Sequence, residues 1–136
     1  MGNKKYQKIR FPLSRLKGRE FISRTIGCEG VGFSLVRFKP GEGANHFHRH
    51  KVQEEIYMTL KGTGTIILDG RRHSMPEGTV VRVAPSANRA IGNDSRRDAV
   101  FLVMGGIPPR KFPSGGRTLF GDGIPDRSRE PKWGKR

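Results

Sequence analysis

Between His46 and Gly62 the chain reads His-Phe-His-Arg-His-Lys-Val-Gln-Glu-Glu-Ile-Tyr-Met-Thr-Leu-Lys-Gly, gathering three of its four histidines and two adjacent carboxylates. Imidazole and carboxylate together are the donor set of zinc, manganese and iron sites. In an extended strand, residues two apart point to the same side, so His46, His48 and His50 share one face and Phe47 and Arg49 the other. After a break at residues 51–53, a second strand is predicted over residues 54–61, with Glu55, Tyr57 and Thr59 on one side and Ile56, Met58 and Leu60 on the other. If both strands face one cavity, His48, His50 and Glu55 can meet. Two imidazoles and one carboxylate would hold a divalent ion and leave part of its coordination sphere open.

The elements that must position these groups are short and β-rich. Val31 to Lys39 is strand-like, and Pro40-Gly41 turns it toward the histidines. Thr65 to Asp69 and Arg71 to Ser74 are predicted to pair as a hairpin across Asp69-Gly70. Further strands are expected over Thr79 to Val83, Asn88 to Gly92 and Ala99 to Met104, separated by Pro76-Glu77-Gly78, Pro85-Ser86-Ala87 and Asn93-Asp94-Ser95. No helical periodicity ten residues long interrupts residues 31–106, so the class is all-β, a sandwich or barrel. The division is a basic arm over residues 1–24, a β-barrel domain over residues 25–106, and a Pro/Gly-rich basic tail over residues 107–136. The arm's apolar residues, Ile9, Phe11, Leu13, Leu16, Phe21 and Ile22, are expected on the barrel or on a second subunit. Ile107, Phe112, Leu119, Phe120 and Trp133 are candidates to anchor the tail.

At 136 residues with net charge +15, one domain with a real core is expected. The charge sits mainly at the ends: residues 1–24 carry eight basic and one acidic side chains, residues 106–136 eight and three, and the middle eleven and eight. Such a field draws anions, although solvated basic arms explain it equally well. Nucleic acid is disfavoured as a partner, since recognised motifs are absent and stacking aromatics are few. The single cysteine, Cys28, fits a reducing compartment and is read as an inert buried or half-buried thiol. There is no signal-peptide core and no long apolar run, so a soluble cytoplasmic protein without a membrane partner is expected. Nucleophile-elbow, phosphate-loop and dinucleotide fingerprints are also missing.

The middle of the chain resembles the cupin family of small jelly-roll β-barrels. The family's first motif is matched by His48-Arg49-His50, four residues, Glu55, six residues and Gly62; its second by Gly70, five residues and Pro76-Glu77-Gly78. The resemblance selects His48 and His50 over His46, and Glu55 over Glu54, as metal ligands. It departs at the fourth ligand, where a histidine is expected and Asn88 stands, a weak neutral donor. Two outcomes follow: a metal site completed by water or Asn88, or a barrel that has lost its metal. The resemblance implies a divalent ion (Fe, Mn, Ni or Zn) and an isomerase, dioxygenase or decarboxylase acting on a small anionic or sugar-like metabolite; the alternative is a non-catalytic ligand-binding or sensor module.

Around that centre, Tyr57 is a candidate catalytic donor, with a packed barrel tyrosine as the plainer reading. Arg82 and Arg89 are candidates to bind a substrate carboxylate or phosphate if they point inward. His46 is read as a rim or surface histidine, His73 as exposed, and Glu54 as solvated or subunit-facing. The face carrying Ile56, Met58 and Leu60 needs cover, from which a homodimer is expected.

Overall fold

Turn residues decide where each strand stops. The computed structural model describes residues 5–107, 124 and 126–134. Asp69 (φ 45°) and Gly70 (φ 82°) take the paired left-handed conformations of a two-residue turn, joining β4 (Thr63–Leu68) to β5 (Arg71–Pro76) in the predicted hairpin. Asp69 also accepts the Asn88 backbone N–H at 2.8 Å, fastening the hairpin to a neighbouring loop.

The remaining strands are β1 (Arg19–Glu20), β2 (Gly32–Phe38), β3 (Glu54–Lys61), β6 (Val80–Val83), β7 (Arg89–Gly92) and β8 (Ala99–Gly106). They build two antiparallel sheets, ordered β1-β2-β8-β3-β6 and β5-β4-β7. Alternation along the strands sends Val36, Tyr57, Val83, Phe101 and Val103 from the first sheet and Ile66, Met75 and Ile91 from the second into one core. The Phe101 ring fills the space over Gly64, where a Cβ would lie 2.0 Å from it. The expected two-sided β architecture is therefore present.

Two regions differ from expectation. The histidine segment touches its neighbour only at Gly43↔Gly92 and His48↔Arg89 rather than forming a continuous strand. Its next contact is to Pro85, whose carbonyl accepts the His50 N–H at 2.8 Å but which has no N–H to return, so the ladder stops. Residues 19–25 are built into the fold: β1 lengthens the larger sheet, and a single helical turn, α1 (Ile22–Thr25), follows it. Leu16 and Ile22 are buried, whereas Ile9 and Phe21 of the same arm are exposed. Arg37 holds this segment down, donating from Nε to the Leu16 carbonyl at 2.8 Å and from Nη2 to the Leu13 carbonyl at 2.7 Å, with Nη1 on Asp98 at 3.1 Å.

Cys28 is exposed, contrary to the expected buried thiol, because it follows α1 in a loop outside the core. Of the tail anchors, Ile107 and Trp133 are exposed, and Phe112, Leu119 and Phe120 lie outside the described residues. No helix among the described residues is long and apolar enough to cross a membrane.

Candidate metal centre

The His48↔Arg89 bridge sets the parity of the site. Directly opposed residues of an antiparallel pair point the same way, so His48 and Arg89 face the barrel interior together. His50 follows two residues later on the same side. Across the barrel, β3 turns Glu55 and Tyr57 inward, both buried, and leaves Ile56 exposed.

The predicted ligands converge. His48, His50 and Glu55 each offer one donor atom, and all three atoms lie within 4.8 Å of one another. Glu55 Oε1 is 3.1 Å from His50 Nε2 and 3.5 Å from His48 Nε2. Donors each about 2.1 Å from one ion are about 3.0 Å apart at octahedral angles and about 3.4 Å apart at tetrahedral ones. The spacing and the donor chemistry therefore fit a divalent ion. The two imidazoles stand perpendicular, with ring centroids 5.0 Å apart.

The carboxylate is held from both oxygens. Tyr57 OH donates to Oε1 at 2.8 Å and Gln53 Nε2 donates to Oε2 at 3.1 Å, the outer hydrogen bonds that orient a ligating carboxylate. Burial pushes the Tyr57 phenol well above its ordinary range and the Glu55 charge pushes it further, so Tyr57 acts as a protonated donor. Burial lowers the His48 pKa; Glu55 opposes that shift, while Arg89 and His50 add to it. His48 is thus kept in the neutral form that binds metal.

The structure separates the two candidate arginines. Arg89 points inward, is wholly buried, and sets Nη1 3.7 Å from Glu55 Oε1. Arg82 points outward on β6 and pairs with Glu54 at 2.5 Å, so it cannot meet a ligand in the barrel. Asn88 is likewise not brought to the centre. It precedes Arg89, so it has the outward parity, and it is exposed; the inward place nearest the expected fourth ligand belongs to Arg89. His46 and His73 are exposed and stand apart from the cluster.

Two contributors escaped the sequence reading. Gln53 shares Glu55's parity and could have been found from it. Arg19 reaches Ser34 Oγ at 2.7 Å on the inner side of the larger sheet, yet in sequence it is one cation in a basic run. Burial lowers its pKa, with Tyr57 and Glu55 acting in the opposite direction.

Residues 34–105 match the family described as Cupin domain. The chain is similar to a cupin protein from Bacteroides fragilis of known crystal structure, at 28% identity and TM-score 0.76, covering 91% of this chain and 99% of that one. A sugar phosphate isomerase from a cupin superfamily, from Silicibacter pomeroyi, matches at 28% identity and TM-score 0.60 over 68% of this chain and 61% of its own. The fold is also shared with a predicted oxalate decarboxylase from Thermotoga maritima, at 22% identity and TM-score 0.56, over 63% and 74% of the two chains. No curated protein matches the chain.

Proposed function

Because the chain belongs to the cupin family, we propose that it is a metal-dependent enzyme in which His48, His50 and Glu55 hold a divalent ion (Fe, Mn, Ni or Zn) and act on a small anionic or sugar-like metabolite. The convergence of the three donor atoms within 4.8 Å carries this reading. When bound, such an ion supplies Lewis-acid polarisation of a substrate oxygen. Glu55 is aimed by Tyr57 and Gln53, and Tyr57 holds its proton at Glu55 Oε1. Arg89 adds a buried positive charge beside the ligands, which favours negative charge on whatever enters.

Isomerase, decarboxylase and dioxygenase chemistries all remain within this reading. The Silicibacter relative's name supports the first and an acidic substrate. The protein is taken to work in the cytoplasm, its one cysteine a free thiol. Ile56, 37% exposed, beside half-buried Met58 and Leu60, is the face a second copy would cover in a homodimer. A monomer mass by light scattering at micromolar concentration would remove the dimer.

Metal analysis of the purified protein tests the centre. About one equivalent per chain is expected, lost in His48→Ala and in Glu55→Ala, with turnover on sugar phosphates or small carboxylic acids by the loaded protein. A protein that stays metal-free after incubation with these ions and dialysis is a ligand-binding module instead.

A further inference from the structure

We propose that the N-terminal segment completes the site: Arg19 and Arg24 bind the acidic oxyanion group, carboxylate or phosphate, of a substrate whose reacting end lies at Glu55. This rests on reading His48, His50 and Glu55 as the catalytic centre and adds the substrate's anchoring group and the residues that select it.

A cavity of about 270 Å³ lies between this segment and the inner face of the larger sheet, and Arg19, Arg24, Ser34, Gln53 and Glu55 contribute to its wall. Its size suits a small metabolite, near the low end of the roughly 300–1,000 Å³ of ligand clefts. Gly105, in register with both Glu55 and Gly32, carries no side chain, and the Gln53 amide lies in the place its Cβ would take, Nε2 2.5 Å away; Gly32 beside it leaves room for one. Three adjoining strands thus present one carboxylate and two residues without side chains along a single row, with the Gln53 amide lying over the middle one.

The two arginines are placed by the fold. Arg19 pairs with Val36, a core residue, so it shares the inward parity, and its Nη1 is fixed on Ser34 Oγ at 2.7 Å. Arg24 comes from α1. Both guanidiniums lie against the Phe21 ring, at 4.1 Å for Arg24 and 5.7 Å for Arg19. Among the described residues neither forms an ion pair, so two like charges are held together at one mouth with no carboxylate in contact with either. Glu55, in the same cavity wall, attracts Arg19 without contacting it, its oxygens being engaged by Tyr57, Gln53 and His50. The planar donor forks of arginine match carboxylate and phosphate oxygens.

The test is calorimetric titration of the full-length protein with inorganic phosphate and, separately, with oxalate, alongside metal analysis. Arg19→Gln and Arg24→Gln are each expected to weaken binding about tenfold or more while leaving metal content unchanged. Arg72→Gln, in an exposed ion pair outside this cavity, should bind as the wild type does. A stronger response to phosphate identifies a phosphorylated substrate, and a stronger response to oxalate a carboxylic acid. Should Arg19→Gln lose its fold by circular dichroism, Arg19→Lys, which keeps the charge and loses the fork, and Arg24→Gln carry the test. Failure of the wild type to bind either anion, or equal binding by wild type and the arginine variants, overturns the proposal. Arginine-dependent anion binding by protein that takes up no metal removes the catalytic reading and leaves the anion site standing; metal uptake without such binding does the reverse.

Discussion

Arg89 lies wholly inside the barrel with Nη1 3.7 Å from Glu55 Oε1, and these two residues place a guanidinium beside the carboxylate of the candidate metal centre. Its Nη2 donates to the Ala84 carbonyl at 2.7 Å, while Nε and Nη1 have no hydrogen-bond partner. Burying a cation so incompletely satisfied costs free energy, which the nearby carboxylate only partly offsets. Arg89 therefore competes with a divalent ion for the same oxygen. An incoming anion would find a positive charge already in place.

Replacing Arg89 by methionine should accordingly strengthen metal binding. A unit charge about 5 Å from an ion, at an effective permittivity of about 20, is worth ~3 kcal/mol per unit of ionic charge. Relaxation and solvent reduce this, so a gain of about tenfold in affinity for Zn or Mn is expected for Arg89→Met, measured by chelator competition. The metal-free variant should be less stable than the wild type, since buried Glu55 loses its cation and Ala84 its donor, and a bound ion should restore part of that stability. Weaker metal binding in this variant would show that Arg89 supports the ligands instead of opposing the ion.

Acid should release the metal. The His48 pKa is lowered from 6.5 chiefly by burial, so the unfolded chain takes up the proton first as pH falls. This residue's contribution to stability is therefore complete above pH 6.5 and is lost as pH drops from there through the lower folded-state value. Metal binding follows the same direction, because the ion needs the neutral ring. Below the folded pKa, affinity should fall about tenfold per pH unit for each proton displaced. Titration between pH 8 and pH 5 measures this, and a flat profile would exclude imidazole ligation.

What could be read from the chain and what could not follows from periodicity. Strand parity, which repeats every two residues, put His46, His48 and His50 on one face and Glu55 on a facing strand, and the resemblance to the cupin motif singled out His48, His50 and Glu55 among them. The Asp69-Gly70 hairpin was legible because few residue pairs accept two left-handed conformations in succession. Parity fails where the phase is unpinned. Pro85 to Asn88 separates β6 from β7 by an irregular stretch, and a one-residue offset moved the inward position from Asn88 to Arg89. Arg82 was undecidable for the same reason. The segment around Arg19 was obscured because its structure comes from distant contacts, Arg37 to Leu13 and Leu16 carbonyls, which leave no local pattern.

Gly62, the last residue of the first motif, is a structural requirement. It has φ 73°, and a Cβ there would sit 2.2 Å from the Asp98 carbonyl oxygen. A left-handed non-glycine residue alone costs about 1–3 kcal/mol, and here the backbone of the loop before β8 must also move. Gly62→Ala is expected to lose more than about 2 kcal/mol in urea denaturation, with the metal ligands untouched. A loss below about 0.5 kcal/mol would mean that the turn relaxes freely.

Arg37 is the staple through which the N-terminal segment reaches the site. One guanidinium, largely buried, holds the carbonyls of Leu13 and Leu16 and the Asp98 carboxylate, so three acceptors share a single fixed group. Arg37→Met removes all three donors, and hydrogen bonds to charged groups are each worth about 1.5–3 kcal/mol. The core behind it stays filled by Val36 and Phe101, so the barrel should remain folded while residues 13–17 come away from it. Trypsin should then cut after Arg15 or Lys17 at least about tenfold faster than in the wild type, because local opening costs less there. If β1 depends on this anchor to keep Arg19 facing Ser34, the same variant should also lose affinity for inorganic phosphate. Unchanged cleavage with unchanged anion binding would show that β1 pairing alone holds the segment, and would remove Arg37 from the account of the site.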